Sequence, residues 1–307
     1  MAPLQKTISP RAWFALVTLS FIWGASFLSI RIALDEIGPL TTVAHRTGWA
    51  MLILWGFVLI RRLAWPRGWR VWLAFLVMGL LNNVIPFSLM AWGQLHIESG
   101  LTAILNASTA IFGVLAAAIF LADERLTGRK AVGVTVGFVG VSVVSGIEAV
   151  KGFDIRSLGQ LAIIGGTISY AMAGVWARKT LGHLNPAVAA AGMLTGASII
   201  TIPMAYVFEG PLSLSLQPRT WAAIGYYAVV ATAIAYILYY RILAMAGSGH
   251  LMLSTLLVAP TAIILGAIVL AEALPMQAYA GFVLLALGLV ILDGRLWQTR
   301  KHRAGRP

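Results

Sequence analysis

Two basic side chains stand inside a segment that is otherwise soluble in hydrocarbon. The stretch "TTVAHRTGWAMLILWGFVLIRRL" is apolar enough for a membrane helix, yet His45 and Arg46 lie about two turns inside it. A charge at the centre of such a helix costs about 2.5–3.5 kcal/mol on insertion scales. Arg46 therefore has two possible roles. In the first, its side chain reaches the headgroups or pairs with Asp35, Glu36 or Glu98. In the second, it faces the outer vestibule and attracts an anionic group such as a carboxylate.

His45 raises a separate question, because imidazole titrates near neutral pH and can carry protons. Neighbouring residues on a helix point about 100° apart, so only one of His45 and Arg46 is expected to face a cavity. The sequence leaves open whether His45 exchanges protons.

Other polar and aromatic side chains fall inside apolar segments, where they are costly unless they face protein or water. Asn82 and Asn106 lie near mid-segment, and an amide can bind either a carboxylate or an amine. Packing between helices is the alternative for the hydroxyl side chains, and core packing for the aromatic ones. The candidate binding residues are Trp23, His45, Arg46, Asn82, Phe87, Asn106, Tyr170, Tyr236 and Thr255.

The chemistry of an enzyme is not evident in this sequence. The five histidines are scattered, no His–Glu spacing suggests a metal site, and no Asp or Glu lies deep in an apolar segment. Cysteine is absent, which excludes thiolate ligands. We therefore expect no cofactor and no metal. The absent deep carboxylate also disfavours a binding site for cationic drugs.

The composition is that of a polytopic membrane protein. Of the 307 residues, 60% are hydrophobic and 10% charged, with no polar stretch long enough to fold alone. Runs of about twenty apolar residues must be helices. The fold class predicted is all-α, with ten transmembrane helices at residues 12–33, 39–60, 71–93, 100–121, 131–147, 158–177, 187–207, 220–240, 251–271 and 276–292.

The basic residues predict the orientation. With the N-terminus inside, seventeen of the 22 Lys and Arg residues fall on the cytoplasmic side, which is a strong positive-inside signal. The acids lie mainly on the other side, at Asp35, Glu36, Glu98, Glu148, Asp154, Glu209 and Glu272. Both termini are therefore expected in the cytoplasm. The net charge of +12 is attributed to membrane orientation, with residues 295–307 as a basic cytoplasmic tail and no nucleic-acid partner.

The two halves of the chain resemble each other. At a shift of 148, Glu124, Leu126, Gly133 and Gly140 match Glu272, Leu274, Gly281 and Gly288. At a shift of 147, Pro39 matches Pro186. The halves are predicted to be residues 1–147 and 148–294, with five helices each. An odd number of spans inverts the second half, and inverted repeats are the architecture of many alternating-access transporters.

Several segments resemble the drug/metabolite transporter superfamily, and within it the ten-helix EamA-type exporters. They are "FIWGASFLSIRIAL", "GPLTTVAHRTGWA", "FLADERLTGRKAVGVTVGFVGV" and "LLVAPTAIILGAIVLAEALPMQAYAGFVLLALGLVIL". The resemblance implies a cavity among helices 1, 3, 4, 6, 8 and 9, with helices 5 and 10 peripheral.

The resemblance also implies a function: export of small metabolites from the cytoplasm through a bacterial inner membrane. Amino acids, aromatic or neutral, are the first expectation for the substrate. Drugs, purines or sugar phosphates are the alternatives within the family, while a channel or an intramembrane enzyme is the alternative from another class. The expected partners are the substrate and the lipid bilayer. The oligomeric state is left open, with a monomer as one option. The sequence also leaves open whether transport is coupled to protons through His45 or whether substrate moves down its own gradient.

Overall fold

The computed structural model describes residues 9–122, 126–145, 155–213, 215–239, 241–242, 245 and 253–293, and every regular element within them is helical. Seven of the helices are long and apolar enough to cross a bilayer, so the chain is a multi-pass membrane protein. The helices are α1 Pro10–Ala33, α2 Pro39–Ile60, α3 Trp69–Gly93, α4 Ser99–Phe120, α5 Gly128–Ser145, α6 Ile155–Thr180, α7 Pro186–Glu209, α8 Pro218–Tyr239, α9 Leu253–Leu270 and α10 Met276–Asp293.

Proline marks the start of four of these helices, where its missing N–H has no intrahelical acceptor to lose. Pro10, Pro39, Pro186 and Pro218 occupy this position in α1, α2, α7 and α8. The predicted spans at 12–33, 39–60, 187–207 and 220–240 therefore begin within two residues of the observed helices.

Helices α3 and α8 each contain a π-helical segment, at Leu80–Val84 and Gly225–Ile234. A π turn leaves backbone carbonyls for other donors. Ser169 Oγ of α6 donates to Leu81 O at 2.7 Å, and Trp23 Nε1 of α1 donates to Ala231 O at 3.2 Å. When the α3 segment is shifted by 147 residues, it falls within the longer α8 segment. The same irregularity therefore occurs in both halves of the chain.

The packing of the helices follows a regular rule. Helix α5 packs on α10, and α2 on α7; α1 packs on α9 as α6 packs on α4; α3 contacts α6 and α7 as α8 contacts α1 and α2. When helices 1–5 are exchanged with helices 6–10, the α5–α10 and α2–α7 contacts map onto themselves, and each of the other contacts maps onto its counterpart.

Helices α5 and α10 form the most extensive helix–helix contact of the described structure, and glycine allows their backbones to approach closely. Gly133 approaches the backbone of Gly288, and Gly140 that of Gly281. A Cβ on Gly281 would lie 2.6 Å from Val144 N and 2.7 Å from Gly140 O, so a side chain there would force the helices apart. The glycines matched by the sequence repeat thus form the crossing point of the two helices.

Acidic residues join helices at one face of the protein, called here the acidic face, which carries Glu36, Glu98, Glu209 and Glu272. The opposite, basic face carries Arg61, Arg62 and Arg178. Glu209 accepts from Leu40 N (2.9 Å) and Thr41 N (2.7 Å) at the start of α2. Glu272 likewise accepts from Ser99 N (2.9 Å) and Gly100 N (3.3 Å) at the start of α4. A carboxylate at a helix N-terminus satisfies orphan donors and complements the helix dipole.

The other two acids complete this arrangement. Glu36 accepts from Gln217 N and from the hydroxyl of Thr220 at the start of α8. Glu98 forms a two-point ion pair with Arg156 of α6, at 3.1 and 2.8 Å. The acidic face is therefore held together by acids from three connections and by the last residue of α7.

Several sequence predictions lie outside the described residues. These are Glu124 of the repeat, the junction of the two predicted halves, and the basic tail at 295–307.

Candidate functional site

A cavity of about 690 Å³ lies between the helices, within the size range of small-molecule sites. Its lining comes from α1, α2, α3, α4, α6, α7, α8 and α9. Helices α5 and α10, over the residues described for them, contribute none of it. This agrees with the peripheral position expected for helices 5 and 10, and it adds α2 and α7 to the expected set.

The cavity opens at the basic face. Arg178, Gly182 and Pro186 line it there and are exposed. At the opposite end its lining includes Ile30, 6% exposed, and Gln94, 1% exposed. The cavity is therefore closed toward the acidic face, where the carboxylates join the helices.

Arg46 projects into the middle of the cavity. Its Nε donates to Thr232 Oγ1 of α8 at 3.0 Å, and its guanidinium carbon lies 3.9 Å above the centre of the Phe87 ring. The terminal nitrogens Nη1 and Nη2 make no hydrogen bond within the part of the chain that the structure describes. One edge and one face of the guanidinium are thus fixed, and two parallel donors remain for a ligand.

The acids considered as partners for Arg46 are engaged elsewhere. Asp35 pairs with Arg31 at 2.9 Å, Glu36 holds the start of α8, and Glu98 pairs with Arg156. Arg46 therefore pairs with none of these carboxylates. It faces the cavity, but this cavity opens at the basic face, so the expectation that Arg46 faces an outer vestibule differs from the structure.

His45 lies away from the cavity, which differs from its inclusion among the candidate binding residues. It is 5% exposed, its Nδ1 accepts from Trp49 Nε1 at 3.2 Å, and its ring meets that of Trp221 edge-on at 5.7 Å. The physical reason is the 100° step between neighbours on a helix, which allows α2 to present Arg46 and not His45. With Nδ1 acting as an acceptor, the imidazole is neutral in this arrangement.

The cavity lining includes two polar side chains at the π-helical regions. They are Asn82, inside the π-helical segment of α3, and Tyr236, two residues after that of α8. Asn82 Nδ2 donates to the Tyr236 hydroxyl at 3.2 Å. Phe87 and Tyr170 form an edge-to-face pair at 6.4 Å next to Arg46, and Trp23 contacts Tyr239 at 5.9 Å. These rings give the cavity an apolar, π-rich wall.

Sequence analysis missed two residues of this site. Thr232, which fixes Arg46, is one of the hydroxyl side chains in apolar segments for which packing was the alternative, and it was not chosen as a candidate because no pattern distinguishes it from the others. Gln94 lines the closed end, and its amide nitrogen and oxygen have no hydrogen-bond partner in the described structure. An amide inside "LMAWGQL" was the available signal.

The structure thus brings seven of the nine candidate residues to one cavity: Trp23, Arg46, Asn82, Phe87, Asn106, Tyr170 and Tyr236. His45 is excluded. The side chain of Thr255 lies outside the described residues.

The sequence of this chain matches one protein family in two places. The sequence pattern of the EamA-like transporter family matches residues 11–146 and, a second time, residues 157–292. The chain belongs to the EamA-like transporter family. Membership places it among membrane transporters of small molecules.

Individual EamA-like relatives cover nearly the whole chain. A protein of Archaeoglobus fulgidus named "uncharacterized transporter" is 23% identical, over 92% of this chain and 98% of its own. A "probable terminal-alkyne amino-acid exporter" of Streptantibioticus cattleyicolor is 25% identical, over 95% of this chain and 96% of its own. A solved crystal structure shares the fold, with a TM-score of 0.65 at 17% identity, over 92% and 97% of the two chains.

Proposed function

We propose that this protein exports small metabolites that carry a carboxylate, namely amino acids with aromatic or neutral side chains, from the cytoplasm. The observation that carries the proposal is Arg46. Its guanidinium is held by Thr232 and Phe87, while two donors remain free to bind a carboxylate in parallel. The name of one relative, an amino-acid exporter, points in the same direction.

The rest of the lining supports this substrate class. Within the described lining, the charged side chains are Arg46 at the centre and Arg178 at the mouth. Both attract an anionic group and repel a cationic drug. The aromatic walls formed by Phe87, Tyr170 and Tyr236 suit an apolar or aromatic substituent.

The transport cycle proposed is alternating access between two inverted repeats of five helices, embedded in a bacterial inner membrane. The paired helix contacts, the matching π-helical segments and the double family match support the repeat. The positive-inside signal supports a cytoplasmic basic face and cytoplasmic termini. In that orientation the cavity is open to the cytoplasm, as loading for export requires.

Counterflow in proteoliposomes tests the function. Vesicles loaded with unlabelled phenylalanine should transiently accumulate external labelled phenylalanine, because a carrier exchanges substrate whereas a channel only equilibrates it. Phenylalanine should compete for this uptake, and phenylalaninamide, which lacks the carboxylate, should not. Equal competition by the amide would remove the proposed role of Arg46, and absence of counterflow for all amino acids would refute the function.

Reporter fusions test the orientation separately. A reporter within residues 61–70 should be located in the cytoplasm, together with reporters at both ends of the chain. A periplasmic reading for the 61–70 segment would overturn the ten-span arrangement.

A further inference from the structure

Gln94 is a buried amide without a partner, and it lies at the closed end of the cavity. It is 1% exposed, and neither its Oε1 nor its Nε2 makes a hydrogen bond in the described structure. An unsatisfied amide in an apolar site is costly, so such groups usually bind water or a ligand. Gln94 lines the cavity directly, which makes a substrate group a suitable partner.

The position of Gln94 relative to Arg46 follows from the geometry of α3. Phe87 carries the Arg46 guanidinium on its ring face, and Gln94 lies seven residues, or two turns, further along the same helix. Residues seven apart share a face of a helix, and two turns span about 10 Å along its axis. The free donors of Arg46 and the amide of Gln94 are therefore two separated polar points on one wall.

The surface between these points is apolar. Phe27 of α1, Met90 of α3 and Val258 of α9 line this part of the cavity, and all three are buried. Asn106 of α4 also lines the cavity, and its buried Oδ1 has no partner among the described residues, but it lies two turns inward from the acidic face. The closed end thus offers the amide of Gln94 behind an apolar section.

From this arrangement we infer that Gln94 is a specificity-determining residue, which binds a hydrogen-bonding group at the end of the substrate remote from its carboxylate. The inference rests on the proposed function, because it assumes a carboxylate bound at Arg46. Its preferred substrate has three parts: a carboxylate, an apolar or aromatic middle, and a distal hydroxyl, amide or N–H group. A carboxamide both donates and accepts, so a phenolic hydroxyl can satisfy its two atoms together.

The test compares tyrosine with 4-methylphenylalanine, which replaces the hydroxyl by a methyl group of similar size. Each competes with labelled phenylalanine during counterflow in proteoliposomes. In the wild-type protein, tyrosine should have the lower inhibition constant, by about three- to tenfold, as expected for one net hydrogen bond. In Gln94→Met, which keeps an unbranched side chain but loses the amide, the ratio should fall to about one.

Asn83 provides the matched control. It is another fully buried amide of α3 without a hydrogen-bond partner in the described residues, but it does not line the cavity. Asn83→Leu should keep the wild-type ratio between the two competitors. If Gln94→Met does not fold, Gln94→Leu serves as the second variant.

The outcomes separate this inference from the function on which it rests. A ratio of one in the wild type, or an unchanged ratio in Gln94→Met, would overturn the role of Gln94 while amino-acid transport remained. If neither compound competes and phenylalanine shows no counterflow, the proposed function fails and the inference fails with it.

Discussion

Replacing Arg46 with lysine keeps the positive charge but changes the shape of the donor group. The Arg46 guanidinium is fixed by its hydrogen bond to Thr232 and by the ring of Phe87, so its two terminal nitrogens present a planar, two-point site for a carboxylate. An ammonium group has no such plane. Lysine also leaves the Thr232 hydroxyl without this donor and loses the guanidinium's flat contact with the ring.

The expected magnitude follows from one lost charge-assisted hydrogen bond. Such a bond contributes about 1.5–3 kcal/mol, so the KM for phenylalanine should rise roughly 10- to 150-fold in Arg46→Lys. The measurement is the initial counterflow rate in proteoliposomes, as a function of substrate concentration, at equal amounts of reconstituted protein.

Arg31→Lys is the matched control for this experiment. Arg31 pairs with Asp35 at the acidic face and does not line the cavity, so its replacement should leave the KM unchanged. A KM within twofold of the wild-type value in Arg46→Lys, with a carboxylate substrate, would refute two-point binding. The buried arginine would then serve only to hold α2 against α8.

Three further predictions concern other parts of the structure. Tyr236→Phe should raise the KM about fivefold or more, because the half-buried amide of Asn82 loses its acceptor at a cost of about 1–3 kcal/mol. Asn82→Leu combined with it should add little further. Gly281→Ala should lower the Tm, measured by thermal unfolding in detergent, since its Cβ would meet backbone atoms of α5, whereas Gly113→Ala, in open space, should not. His45→Gln should leave the pH profile of transport unchanged, because His45 lies outside the cavity and its Nδ1 already accepts a hydrogen bond; a flattened profile would restore proton coupling through His45.

Hydropathy predicted much of the fold, because the bilayer allows only helices whose length matches its thickness. The spans predicted at 39–60 and 276–292 coincide with helices to within one residue. The π-helical segments were not predicted, since they depend on side chains of other helices, such as Ser169 and Trp23, that donate hydrogen bonds to the freed carbonyls. The outer acids were assigned a side of the membrane, but their role at helix N-termini depends on which helices are neighbours.

The candidate site was predicted less completely than the fold. Polarity inside an apolar segment singled out Arg46, Asn82 and Asn106, because any such group needs protein or water around it. The same argument singled out His45 equally, and it could not separate a residue facing the cavity from one facing a neighbouring helix. Gln94 was missed because it stands at the end of α3, where a polar residue is ordinary.

The sequence by itself determined that the chain crosses a membrane, that its halves are related, and that a few polar side chains must be sheltered from lipid. These properties follow from local composition and spacing, because a segment that lies in lipid needs different residues from one that lies in water. Only the tertiary structure decided which sheltered groups meet: Arg46 with Thr232 and Phe87, Asn82 with Tyr236, and Gln94 with no partner at all among the described residues. The reason is that a difference of one residue turns a side chain by 100° about its helix, and the rotation of each helix is set by packing against its neighbours.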